Sequence, residues 1–209
     1  MTNTKFLLLM GGSGCGKTTL AKNLELFDSN TYHRPIEYGT REIRDGEVDG
    51  FDYFFITKDK LSELEANGEL IEIVEYQFKD FYGCNINQIK DEKINVVVVS
   101  IEGFITMAKR LKKFYPESNV VLVNIINDCE LDIKRTGRDP LQEERFNRSV
   151  LLHMLDNISM DINTCCFTGV FNNPKWKENI KYHELCLSDL KKIRNSKKDC
   201  LEYFYGLFN

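Results

Sequence analysis

The residues Gly11-Gly12-Ser13-Gly14-Cys15-Gly16-Lys17-Thr18-Thr19 follow directly on the apolar run Phe6-Leu7-Leu8-Leu9-Met10. They match G-x-x-x-x-G-K-[ST] in the setting its physics requires: a buried strand, a glycine turn, then a helix starting at Lys17 or Thr18. The glycines let successive backbone N–H groups converge on a phosphate, and the helix N-terminus adds positive partial charge. Lys17 is expected to reach the β- and γ-phosphates, and the Thr18 hydroxyl to hold Mg²⁺. Leu20, Ala21 and Leu24 give the following helix an apolar face. A glycine-rich turn that binds nothing would not need all three parts, so the segment implies a nucleoside triphosphate site.

The rest of the chain alternates strand and helix. Strands are expected at 5–10, near 35–38, at Tyr53–Thr57, Glu69–Tyr76, Asn95–Ile101, Asn119–Ile126 and Gly169–Asn172. Helices are expected at about 18–26, Lys58–Ala66, 102–114, 129–135 and 145–160, with Gly68 closing the second of them. The runs Asn95–Ile101 and Asn119–Ile126 are continuously apolar, as buried parallel strands are. Repeated βα units after a phosphate loop predict an α/β fold with a doubly wound parallel sheet. Residues 40–90 break the rhythm with half-exposed strands and read as a small mixed insertion beside the nucleotide site. The aromatic end, Leu201–Phe208, is expected to dock on the chain's own core.

Composition narrows the function classes. The 209 residues suit one domain with insertions. A net charge of −4 argues against broad nucleic-acid affinity, and no apolar run of about 18 residues is present to span a membrane. Seven cysteines show no C-x-x-C pair and no histidine at zinc spacing. A reducing cytoplasm is the expected setting.

A second constellation lies in the insertion: Thr40-Arg41-Glu42-Ile43-Arg44-Asp45-Gly46-Glu47-Val48-Asp49-Gly50-Phe51-Asp52-Tyr53-Phe54-Phe55, then Glu69-Leu70-Ile71-Glu72 and Phe81-Tyr82-Gly83. Two guanidinium forks and two phenols suit a second phosphate. Here the sequence resembles the guanylate kinase family, from the phosphate loop to about residue 173, through the pattern T-R-x-x-R-x-G-E-x-x-G-x-D-Y-x-F. The resemblance implies one guanylate-kinase-like domain over 1–209. Its core would comprise 1–34, 91–135 and 149–209, with a nucleoside-monophosphate insertion at about 35–90 and a helical lid at about 136–148. It implies that Arg41, Arg44, Tyr53 and Tyr82 hold the phosphate of an acceptor nucleoside monophosphate, and that Glu72 accepts from guanine N1–H and the 2-amino group. It implies ATP and Mg²⁺, with Arg135, Arg138 and Arg148 closing over the transferring phosphoryl group and Asn172 near the ATP adenine. The expected product is the diphosphate of GMP or dGMP, made by a monomer or homodimer. A non-catalytic binding module of the same fold is the rival from another class, and a sugar-phosphate kinase is a third option.

The chain departs from the family where the purine 6-position is read. Glu37 and Cys84 stand where the family carries hydroxyl donors, and Asn173 stands where it carries an aspartate. After the third core strand, Ser100-Ile101-Glu102 keeps the second acid of the family's pair as a glutamate and lacks the first, and by the resemblance Glu102 is expected on the substrate side, serving the base or the metal shell. An ionised carboxylate donates nothing, and a thiol donates weakly. Three readings stay open: Glu37 points away, Glu37 is protonated, or the substrate carries a 6-amino group, as 2-aminoadenine does.

Overall fold

The computed structural model describes residues 4–12, 14–76, 80–126 and 180–209. The first strand, β1 (Lys5–Gly11), runs between two others and has Phe6–Met10 fully buried. Its alternate side chains feed two separate cores. Phe6, Leu8 and Met10 join Phe104, Met107, Ala108 and Leu111 on one face; Leu7 and Leu9 join Leu20, Leu24, Phe204 and Phe208 on the other. A strand covered on both faces has no use for polar alternation, which is why this one reads as an unbroken apolar run.

Helix α1 (Lys17–Phe27) leads to a two-residue strand, β2 (Tyr32–His33). Next come β3 (Tyr38–Gly39), β4 (Phe54–Phe55), α2 (Lys58–Ala66), β5 (Leu70–Tyr76) and β6 (Asp80–Asn85). The chain then returns through β7 (Ile94–Val98), α3 (Ile101–Phe114) and β8 (Asn119–Ile126). The last described stretch holds β9 (Ile180–Cys186), α4 (Leu187–Ile193) and α5 (Lys197–Gly206). The main sheet has order β2-β7-β1-β8-β9, every pair parallel. A second sheet, β4-β3-β6-β5, mixes one parallel pair with two antiparallel ones. The α/β class with a smaller mixed sheet matches expectation.

Several boundaries differ from those expected, each for a physical reason. The strand expected to reach Ile101 ends at Val98, because the Ser100 hydroxyl accepts the Gly103 N–H (3.1 Å) and caps α3 one residue earlier than its sequence suggests. The strand expected near 35–38 is only Tyr38–Gly39. Pro35 has no N–H to give, and the Gln88 side-chain amide takes both backbone groups of Ile36, at 2.7 Å each. The expected Tyr53–Thr57 strand shortens to Phe54–Phe55, with Thr57 capping α2 through the Lys60 N–H. Gly68, at φ +72°, follows the end of α2 in the left-handed conformation that suits it. Strands β2, β6 and β9 were not individually expected; β9 is a half-exposed edge whose residues are mostly polar. The expected helices at 129–135 and 145–160, the strand Gly169–Asn172 and the lid at 136–148 lie outside the described residues. At the C-terminal end, Phe204 and Phe208 pack in the core beside α1, while Tyr205 faces solvent.

Candidate functional site

The phosphate loop is built from backbone conformation. Gly11, Gly14 and Gly16 all have positive φ (+145°, +82° and +92°), which L side chains rarely adopt. A Cβ on Gly11 would lie 2.7 Å from the Ile125 carbonyl oxygen on β8, so the turn also depends on a close strand approach. Gly16 caps α1 with no side-chain hydrogen bond, leaving the first-turn N–H groups open, and Thr18 and Thr19 are exposed there. The Lys17 ammonium donates to the carbonyls of Gly11 (2.7 Å) and Gly12 (2.8 Å). Cys15 is buried beneath it, and that burial keeps its thiol neutral against the pull of Lys17. Ser13 lies outside the described residues. These groups fit a polyphosphate, and the Thr18 hydroxyl is free to meet a divalent cation.

Sequence reasoning missed one neighbour of this loop. Arg194, at the end of α4, brings Nη1 to 3.0 Å from where a Cβ on Gly16 would stand. It follows Lys191, Lys192 and Ile193, and nothing in that run separates one cation from the others.

Across the cleft, Arg41 is held from several sides. Its guanidinium donates to both Glu47 carboxylate oxygens (2.6 and 2.5 Å) and, through Nε, to the Tyr82 hydroxyl (3.1 Å). It also lies over the rings of Tyr53 (5.2 Å) and Phe55 (5.3 Å). The Arg41 bonds hold the Glu47 carboxyl below its usual range, while Glu47 raises Arg41 still further. Tyr53 and Tyr82 face each other at 5.7 Å. Arg44 occupies the same turn with its side chain in solvent, and its backbone N–H donates to Glu47 (2.9 Å). Arg41, Tyr53 and Tyr82 are thus brought together, with Arg44 at the rim.

Beside this grip, three acidic groups form a row. Strand register pairs Tyr38 with Gly83 and Gly39 with Tyr82, which puts Glu37 opposite Cys84; Cys84 in turn pairs with Glu72. Directly opposed residues share a face, so the three side chains stand side by side across neighbouring chains. Glu72 is 2% exposed, and its Oε2 has no hydrogen-bond partner. Burial first, then the negative charge of Glu37, push its carboxyl well up, with Arg110 opposing. Burial also raises Glu37 to about 7, against Arg34 and the Val98 N–H, which favour its ionised form. The Cys84 thiol is raised by burial and by both carboxyls and stays neutral.

Glu72 reaches the N-terminal turn of α3, where Gly103 makes room for it: a Cβ there would sit 2.1 Å from Glu72 Oε1. Arg110, one side of which bonds Glu65, donates to the Leu70 carbonyl (2.7 Å) and ties α3 to β5. Glu102 is exposed in that first turn, next to Gly103 and outside the row of acids. Gly103 and Arg34 were not singled out from sequence. Arg34 is buried, donates to the Phe51 carbonyl (2.5 Å) and, with the Lys22–Asp52 ion pair, fastens the insertion to α1.

The two halves meet in an open pocket lined by Thr18, Arg34, Glu37, Asp52, Tyr53 and Val98, among others. Arg135, Arg138, Arg148 and Asn172 lie outside the described residues.

A family model described as Guanylate kinase matches residues 3–187. Among solved structures, a guanylate kinase from Anaplasma phagocytophilum aligns with TM-score 0.55 and 19% identity, covering 94% of this chain and 85% of that one. At that identity the likeness concerns the fold. A gluconokinase from Sinorhizobium meliloti 1021 aligns at TM-score 0.37 and 11% identity, covering 100% of this chain and 95% of the other.

Proposed function

Because this chain belongs to the guanylate kinase family, for which nucleoside monophosphate phosphorylation is the family reaction, we propose that it transfers the γ-phosphoryl group of ATP to GMP or dGMP. The observation that carries this reading is the single pocket shared by Thr18 of the phosphate loop and by Tyr53 and Glu37 of the insertion. A donor site and an acceptor site opening on one space are what in-line transfer needs.

The family implies ATP with Mg²⁺, which supplies an activated γ-phosphoryl group when bound. An oxygen of the acceptor's phosphate forms the new bond to the γ-phosphorus as the bond to the β-phosphate oxygen breaks, and ADP leaves with that electron pair. The attacking oxygen is already anionic, so no side chain has to take a proton from it. Lys17 offsets charge on the β- and γ-phosphates. Arg41, pre-set by Glu47, Tyr53 and Tyr82, positions the acceptor phosphate, with Arg44 joining from the rim. Arg135, Arg138 and Arg148 would add cationic charge from the lid, Asn172 would meet the adenine, and closure would exclude water. Glu102, exposed in the first turn of α3, is left for the base or the metal shell as the family pattern implies.

The substrate is read as a free nucleotide rather than a nucleic acid, in keeping with the net charge of −4. No helix among the described residues is long and apolar enough to cross a membrane. A coupled assay of ADP release across ribo- and deoxyribonucleoside monophosphates tests the proposal. GMP- or dGMP-dependent ADP release is expected, and nucleotide-independent release, or none, would leave a binding module of the same fold.

A further inference from the structure

Guanine and 2-aminoadenine share a 2-amino group and differ at two adjacent positions. Guanine presents an acceptor at O6 and a donor at N1–H; 2-aminoadenine presents a donor at its 6-amino group and an acceptor at N1. Moving one proton between two carboxyls converts a receptor for the first edge into a receptor for the second.

Glu37 and Glu72 are placed to do this. They flank Cys84 on one face of the small sheet, two strand spacings or roughly 10 Å apart at the backbone. Glu72 is almost wholly buried, and its unpartnered Oε2 lacks the hydrogen bond that a buried carboxyl oxygen ordinarily finds. Glu37 lines the open pocket itself. We propose that Glu37 and Glu72 share a single proton in the substrate-bound pocket, and that its position lets one site accept 2-aminopurine nucleotides with either a 6-oxo or a 6-amino group. With the proton on Glu37, that carboxyl donates to O6 and ionised Glu72 accepts from N1–H and the 2-amino group. With the proton on Glu72, that carboxyl donates to N1 and accepts from the 2-amino group, and ionised Glu37 accepts from the 6-amino group. No polar atom of either edge is left unpaired.

The surroundings favour one charge over two. Arg34 faces Glu37 and Arg110 faces Glu72, while Asp52, already paired with Lys22, lines the same pocket. The phenol of Tyr53 and the thiol of Cys84 both feel Glu37 and remain neutral. Burial and mutual repulsion therefore hold one proton on the pair near neutrality, as in other carboxyl dyads.

This inference rests on the kinase reading, and the test separates the two. The wild-type protein is assayed with GMP, dGMP, the 2-aminoadenine ribo- and deoxyribonucleoside monophosphates and AMP, from about pH 5.5 to 8.5. GMP and 2-aminoadenine nucleotides are expected within about tenfold of each other in kcat/KM, with AMP, which lacks the 2-amino contact, at least about tenfold lower. Both preferred substrates should lose about tenfold per pH unit once the shared proton leaves. Glu37→Gln donates to O6 without a titrating proton, so its GMP profile should flatten. Glu72→Gln donates to N1 and accepts from the 2-amino group, so it should favour the 2-aminoadenine nucleotide over GMP. Turnover of GMP without 2-aminoadenine nucleotides at every pH overturns the proposal, as do parallel GMP profiles for wild type and Glu37→Gln. Absence of turnover with any monophosphate refutes the kinase reading instead.

Discussion

At the phosphate loop, Gly11, Gly14 and Gly16 turn the backbone through positive φ, and the ligand-facing groups are N–H donors that every residue carries. Across the pocket, the row proposed to read the base, Glu37, Cys84 and Glu72, consists of side chains whose charge depends on how deeply they are buried. The first arrangement recognises something all triphosphates share and cannot be retuned without breaking the turn. The second can change its donor–acceptor pattern by moving a proton, with the backbone unaltered. That contrast explains how the phosphate machinery can keep its family pattern while the base-reading positions depart from it.

The contrast can be broken first at Lys17. Lys17→Ala should cut turnover by about 10³-fold or more, because an aligned cation is lost where charge moves. Its melting temperature should stay near that of the wild type, since Lys17 bonds only groups of its own loop, the Gly11 and Gly12 carbonyls and the Cys15 sulfur. Unchanged kinetics would detach the loop from catalysis. Arg41→Ala should act mainly on the acceptor, raising KM for the monophosphate by about 10–100-fold while KM for ATP moves little. Equal effects on both substrates would show that the two halves are not separable.

Gly103→Ala sharpens the comparison further. Alanine suits a helix better than glycine, yet its Cβ would occupy the position taken by Glu72 Oε1. The variant is expected to fold and to bind GMP about tenfold more weakly, with ATP affinity unchanged. Wild-type GMP affinity in this variant would remove Glu72 from the base site.

The smallest effect is on stability. Glu37 has its folded-state value raised to about 7, so its neutral form is favoured in the fold. The stability it contributes is full below the ordinary carboxyl range and is lost as pH rises through about 7. Glu72, raised by burial and then by the charge of Glu37, adds to the loss. Glu37→Gln should therefore gain about 1–3 kcal/mol over the wild type at about pH 8 and little at about pH 4 in chemical denaturation. An equal difference at both pH values would mean that Glu37 ionises without penalty.

Much of the fold was legible because its signals are local. Five-residue apolar runs, the glycine turn and the cap of α2 sit within a few positions of one another, and they place β1, α1, α2, β8 and most of α3 close to where they lie. The misses have non-local causes. Strand β9 is a half-exposed edge among the described strands with a mostly polar sequence, and β3 is cut short by a side chain about fifty positions away. Glu37 and Cys84 stood out as departures from a pattern, but sequence alone left open whether Glu37 points away from the site.

What the sequence determined by itself is the triphosphate loop and the presence of arginines, phenols and a carboxylate in an insertion after it. Such groups are recognised by spacing along the chain, and spacing survives in a one-dimensional record. Only the tertiary structure decided that Glu37, Cys84 and Glu72 form one row, that Gly103 makes room for Glu72, and that Arg194 stands beside Gly16. Those facts depend on strand register and burial, which bring together residues far apart in the chain and set whether a carboxyl there is charged.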